Sequence, residues 1–182
     1  MRSVSALSLA LFVLFGCASA PKIDYYTLGM ERSGEAQPEV NLVVERLQTT
    51  EALSRSQILI HTSATEIEYY AADHWAGGLG ELVQRKLAAE FGPPVESRRN
   101  LVVSGTVLAC EQADLPAGTE ARITLQLAIR DATSRRYQPP LLDKTYACER
   151  GADRATPAAV VESLSLCVEE LAAEIAADAA AL

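Results

Sequence analysis

Four cysteines and two histidines are the side chains of this sequence best suited to nucleophilic, metal-binding or proton-transfer chemistry. Cys110, Cys148 and Cys167 stand far apart, with no partner at zinc-ligand spacing, and His61 and His74 lack a neighbouring ligand pair. Asp73-His74 has the residue types of an acid–base pair, but Asp73 reads better as the N-cap of a helix that follows. No Gly-x-Ser-x-Gly elbow is present, and Gly77-Gly78-Leu79-Gly80 lacks the Lys-Ser/Thr of a phosphate loop. Those glycines are expected to let a helix pack closely on a sheet. The sequence thus predicts no enzyme, no cofactor and no metal site.

Cys17 is different, because of what precedes it. Arg2 gives a positive start, and Ala6 to Phe15 form an apolar run broken only by Ser8. The run is too short for a bilayer, which needs about 20 residues, so it reads as an export signal. Leu14-Phe15-Gly16-Cys17 resembles the lipobox of bacterial lipoproteins, with an aliphatic residue at −3 and a small one at −1. On that resemblance the thiol of Cys17 is the lipid-attachment site, carrying a diacylglyceryl group, and the finished protein bears fatty acid such as palmitate. The alternative is an ordinary signal cut after Ala18-Ser19-Ala20, which discards Cys17 and starts the protein at Pro21. Ala18 after the cysteine, where an aspartate would signal retention, points by the same resemblance to the outer membrane.

Composition narrows the function classes. The chain carries a formal charge of −8 and has no basic cluster, which excludes nucleic acid and disfavours electrostatic adhesion to anionic lipid. The three later cysteines would meet an oxidising periplasm. One disulfide among Cys110, Cys148 and Cys167 is therefore expected, its pairing open, with small buried residues as the other reading.

The elements that must position these residues follow from hydrophobic period. Strands are expected at 25–28, 40–47, 57–61, 66–70, 101–110, 122–130 and 142–148. Trp75, Leu79, Leu82, Val83, Leu87 and Phe91 fall on one helical face that ends at Gly92-Pro93-Pro94. A second helix starts with Thr156 as N-cap and Pro157 behind it, and its stripe runs from Val160 through Leu164, Cys167, Val168 and Leu171 to Ile175. Ile123, Leu125, Leu127 and Ile129 alternate with polar residues, which indicates a sheet with one wet face. The expected fold class is α+β: an antiparallel sheet of about five to seven strands with two amphipathic helices packed on one face. Residues 1–16 read as the signal peptide, 17–22 as a lipidated tether and 23–182 as one domain.

The order of these pieces resembles a known family. The lipobox is followed by Tyr25-Tyr26-Thr27-Leu28, then the 40–47 strand, Arg55-Ser56-Gln57-Ile58, Tyr70 with His74-Trp75-Ala76, and a closing alanine-rich helix. Together they are similar to the ABC-type transport auxiliary lipoproteins (paraquat-inducible protein C-like) over nearly all of residues 23–182. The resemblance implies a non-catalytic periplasmic subunit of intermembrane lipid transport, lipid-anchored on the outer membrane. Its implied partners are a mammalian-cell-entry (MCE) protein and an inner-membrane ABC-type or permease complex; a homo-oligomer is compatible with it. An outer-membrane assembly lipoprotein of the lipopolysaccharide-insertion type is the other reading. Tyr25, Tyr26, Tyr69 and Tyr70 are the candidate partner or lipid surface, since each offers an apolar ring with a polar tip.

Overall fold

A computed structural model describes residues 22–36, 38–116, 118–134 and 137–182. Cys17, with residues 1–21, lies outside the described residues. In chain order the elements are β1 (Asp24–Tyr26), β2 (Asn41–Val44), β3 (Gln48–Thr49), a 3-10 turn (Ala52–Ser54), β4 (Gln57–His61), β5 (Ile67–Trp75) and α1 (Leu79–Phe91). There follow β6 (Asn100–Leu115), β7 (Gly118–Asp131), β8 (Leu142–Gly151) and α2 (Pro157–Ala180).

The alternation in β7 sends Ile123, Leu125, Leu127 and Ile129 to one face, where all four are buried. In register beside them stand Val103, Val107 and Cys110 of β6 and Tyr146 and Cys148 of β8. Both helices cover this face and touch one another, α2 over β6, β7 and β8 and α1 over β2 and β3. The stripe of α2 is buried from Val160 to Ile175 as its spacing requires, and the Thr156 hydroxyl accepts from the Ala159 N–H at the helix start. The α+β class and the two helices stand.

The sheet is not antiparallel throughout, and it is larger than expected. It is mixed and has eight strands, in the order β1-β5-β4-β6-β7-β8, with β2 and β3 also on β6. Three successive segments of one chain run, β2, β3 and β4, lie end to end along one edge of β6, all parallel to it. β6 can host them because it is 16 residues long, about 50 Å of strand at the usual rise. Side-chain alternation reports which face is wet and carries no information on strand direction. The second parallel pair, β1 with β5, is equally silent in the sequence.

The first helix begins later than its leucine spacing suggests. Asp73 and Trp75 belong to β5, where β1 pairs with them, so neither Asp73 as N-cap nor Trp75 on the helical face is correct. The helix starts behind the Gly77-Gly78 pair, with Gly78 at the N-cap and no side-chain cap. Trp75 is buried all the same, as the last residue of a strand.

Gly80 is where α1 and the sheet approach most closely. A Cβ there would sit 2.2 Å from the Leu47 carbonyl oxygen, whereas one on Gly78 meets nothing within 4 Å. Gly80→Ala should therefore lower stability by about 1–3 kcal/mol despite alanine's better helix propensity. Gly77→Ala, whose Cβ would meet only Leu82 at an ordinary 3.9 Å ahead of the helix, should change it by less than about 0.5 kcal/mol. Urea unfolding of the two variants separates the close approach from a general effect of glycine.

Candidate functional site

The four tyrosines come together on β1 and β5 but are not equivalent. Tyr25, on the edge strand, is 66% exposed and meets the His74 ring edge-on at 6.0 Å. Tyr26 donates to the Asp73 carboxylate (2.9 Å), Tyr69 to the Ala52 carbonyl (3.0 Å) and Tyr70 to Gln112 Oε1 (2.6 Å). The Arg55 guanidinium covers the Tyr69 ring at 4.6 Å. Burial holds the Tyr26 and Tyr70 phenols above their ordinary pKa, so both act as neutral donors. Among the four, Tyr25 is the exposed one and the other three are half-buried.

The histidines find partners without forming a catalytic set. Ser56 Oγ lies 3.1 Å from His74 Nδ1 on an exposed surface, and the neighbouring Asp73 carboxylate is taken by Tyr26. Among the described residues no carboxylate bonds the imidazole to orient it as a base for the serine. His61 Nε2 lies 3.5 Å from Glu111, a buried carboxyl whose pKa is raised by burial against the opposing fields of His61 and Arg122. Among the described residues no group of His, Cys, Asp and Glu is arranged to hold a metal ion.

The structure joins Cys148 of β8 to Cys167 of α2 and leaves Cys110 free and buried. The three are neighbours because Cys110 and Cys148 flank Ile123 in register, beneath α2. Burial pushes the Cys110 thiol far above its ordinary pKa, which keeps it protonated and inert.

A cluster that no motif marked lies between the segment after β1 and the two helices. Lys86 of α1 is fully buried, and its ammonium donates to Glu90 (2.7 Å), Glu169 of α2 (2.6 Å) and the Glu31 carbonyl (2.9 Å). Glu90 also accepts from the Ser33 N–H (3.1 Å) and hydroxyl (2.6 Å), and Arg32 donates to the Glu90 carbonyl. Burial alone would lower the lysine pKa and raise that of Glu90. The hydrogen bonds outweigh it, leaving Lys86 raised and Glu90 lowered. The sequence signal was the i,i+4 pair Lys86 and Glu90, which normally reads as a solvated helix face.

Next to this cluster a groove of about 450 Å³ opens between the segment after β1 and α2. Tyr26, Ala158, Val161 and Leu166 supply its apolar surface, and Glu31 and Glu162 its rim. Leu166 is 40% exposed there, away from the buried stripe of its own helix. The arrangement can hold an apolar side chain of a partner, with carboxylates placed to meet flanking cations.

Comparison with known proteins covers the same region. The family model for the ABC-type transport auxiliary lipoprotein component matches residues 26–176, from β1 to the last turns of α2. The fold is similar to the crystal structure of a protein without an assigned role (TM-score 0.68, 15% identity, 87% of this chain and 99% of the other). It is also similar to a Xanthomonas campestris protein from a family of unknown function (TM-score 0.67, 14% identity, 83% and 91%). At such identities the likeness speaks for the fold alone. No curated protein matches the chain.

The disulfide closes a loop of 19 residues, so the Cys148→Ser, Cys167→Ser double variant should lose about 3 kcal/mol of unfolding free energy. In the native protein Cys110 should resist maleimide until the chain is unfolded, which thiol titration with and without urea reads out. A second expectation concerns the buried ammonium: Lys86→Met leaves Glu90 unpaired and should cost about 3–5 kcal/mol in urea unfolding. Acid stability follows the carboxylates. Glu90 is held low mainly by Lys86 and Ser33, Asp178 by Lys144, and Asp131 by Thr133 and Arg99 to about 2. A carboxyl with a depressed folded pKa adds stability above its unfolded pKa and loses it as pH falls through the folded value. The urea midpoint should therefore fall below about pH 4, whereas the buried Glu111, whose carboxyl is raised by burial, works the other way at higher pH. In Lys86→Met the decline should be shallower.

Proposed function

From the fact that the chain belongs to the ABC-type transport auxiliary lipoprotein component family, we propose that it is a non-catalytic docking subunit of an intermembrane lipid-transport system of the ABC/MCE type. The observation that carries this reading is the family match over residues 26–176, from the last residue of β1 through most of α2. In this reading Cys17 is lipidated and holds the protein on the periplasmic face of the outer membrane. ATP hydrolysis and lipid passage belong to partners. The groove beside Leu166 supports the docking role, because it combines exposed apolar surface with Glu31 and Glu162, which form no ion pair among the described residues, while Glu169 in its lining is held by Lys86.

Two measurements test the proposal. Mass spectrometry of protein extracted from membranes should find Cys17 as the first residue, carrying its lipid; an unmodified N-terminus at Pro21 refutes the anchor. A photo-crosslinking residue at Leu166 in intact cells should capture an MCE protein, and capture of an outer-membrane barrel would favour an assembly lipoprotein instead. Cys17→Ser should abolish envelope function while leaving the circular dichroism spectrum unchanged. A soluble variant with full function is the result that contradicts it.

A further inference from the structure

The direction in which β1 enters the sheet constrains how the domain stands on a membrane. β1 runs parallel to β5, with Tyr25 beside His74, and His74 lies beside Gln57 of β4. The chain ahead of β1 therefore comes from the end of the sheet where β4 and β5 meet at residues 62–66. At that same end β6 and β7 meet between Leu115 and Gly118.

The overhang of this end can be measured in strand residues. From Gln57 the register steps two positions to Leu59, crosses to Glu111 and runs four more to Leu115. That places the β6–β7 tip about 20 Å beyond Tyr25. Cys17 precedes Tyr25 by eight positions. Fully stretched, such a segment spans about 27 Å, and relaxed it spans about 16 Å. The tip thus reaches as far toward the lipid as an average tether allows. A gap opens only if the tether is drawn taut.

The side chains at this end suit the contact. Ile67 is 44% exposed and Leu115 39% exposed, with Pro116 exposed beside it. Glu66, Asp114 and Glu120 lie at this end together with the exposed Arg150 and Arg154, so its charge is mixed and a shallow apolar contact with a neutral headgroup layer suits it. The turn between β7 and β8, with Tyr137 95% exposed, lies at the opposite end, because Ile129 pairs with Leu142 there.

We propose that the end of the sheet bearing Ile67, Leu115 and Pro116 rests in the headgroup layer of the membrane that holds the Cys17 lipid. The inference rests on the lipidation of Cys17 proposed above. It presents the β7–β8 turn and the start of β6, about 50 Å away along β6, to the periplasm.

Spin labels on the full lipidated chain test it, using Ile67→Cys, Leu115→Cys and Tyr137→Cys in vesicles of phosphatidylcholine. For labels at 67 and 115 the ratio of oxygen to nickel-chelate accessibility should rise several-fold over the value in detergent-free buffer. The label at 137 should keep its water value. Lipidated protein that floats with the vesicles while 67 and 115 stay water-like, or while 137 becomes protected, overturns this inference and leaves the lipid anchor intact. Protein that neither floats nor carries lipid by mass spectrometry overturns the anchor, and this inference with it.

Discussion

The ammonium of Lys86 sets a constraint that reaches well beyond α1. An ammonium with no exposed surface is tolerable only where every donor is matched, and here the acceptors come from three separate parts of the chain. One is its own helix, one is α2, and one is the backbone after β1. Such a cluster adds little net stability over apolar packing, yet it makes any other path for its partners costly. Residues 31–33 are therefore held against the helices, and with them the exit of β1. The start of the folded domain has a fixed place, so a short segment in front of it has a limited reach.

The mixed sheet follows from a second constraint, the length of β6. A strand of 16 residues offers two long edges, both of which need partners. Antiparallel β7 fills one side completely, while β2, β3 and β4 share the other in sequence. Each of these segments is short enough to allow a corner, and Leu47 and Leu53 at the corners are buried. Gly80 meets the chain at one of those corners, which is why a helix glycine is retained against its propensity.

Much of this was legible in the residues, and the remainder failed for identifiable reasons. The α2 stripe, its Thr156–Pro157 start and the β7 alternation are local patterns, and local patterns survive into the fold. The start of α1 was misplaced because Trp75 fits a helical period by accident. A three-residue pairing with β1, remote in sequence, claims it for β5. Parallel pairing and the partners of Lys86 are also remote, and period analysis sees neither. The tyrosines show the same limit at the level of a site: their spacing marked the right strands, but hydroxyl partners on Ala52, Asp73 and Gln112 decide which ring stays open. The cysteines were identifiable as a set, whereas their pairing needed the register that brings Cys148 under α2.

The acidic character of the chain now has a structural meaning. A body of net charge −8 gains nothing electrostatically from an anionic surface, so its attachment depends on covalent lipid and on apolar contact. Two open apolar surfaces lie at different places on the domain, one at the strand turns and one beside Leu166. The groove is rimmed by glutamates that find no cation within the described chain, whereas the turns expose aliphatic side chains on the side from which the tether enters. A cationic, partly apolar partner suits the first surface, and a neutral lipid layer suits the second. The two contacts use different residues, the groove those of the segment after β1 and the first turns of α2, so a subunit can hold its membrane and its partner at once.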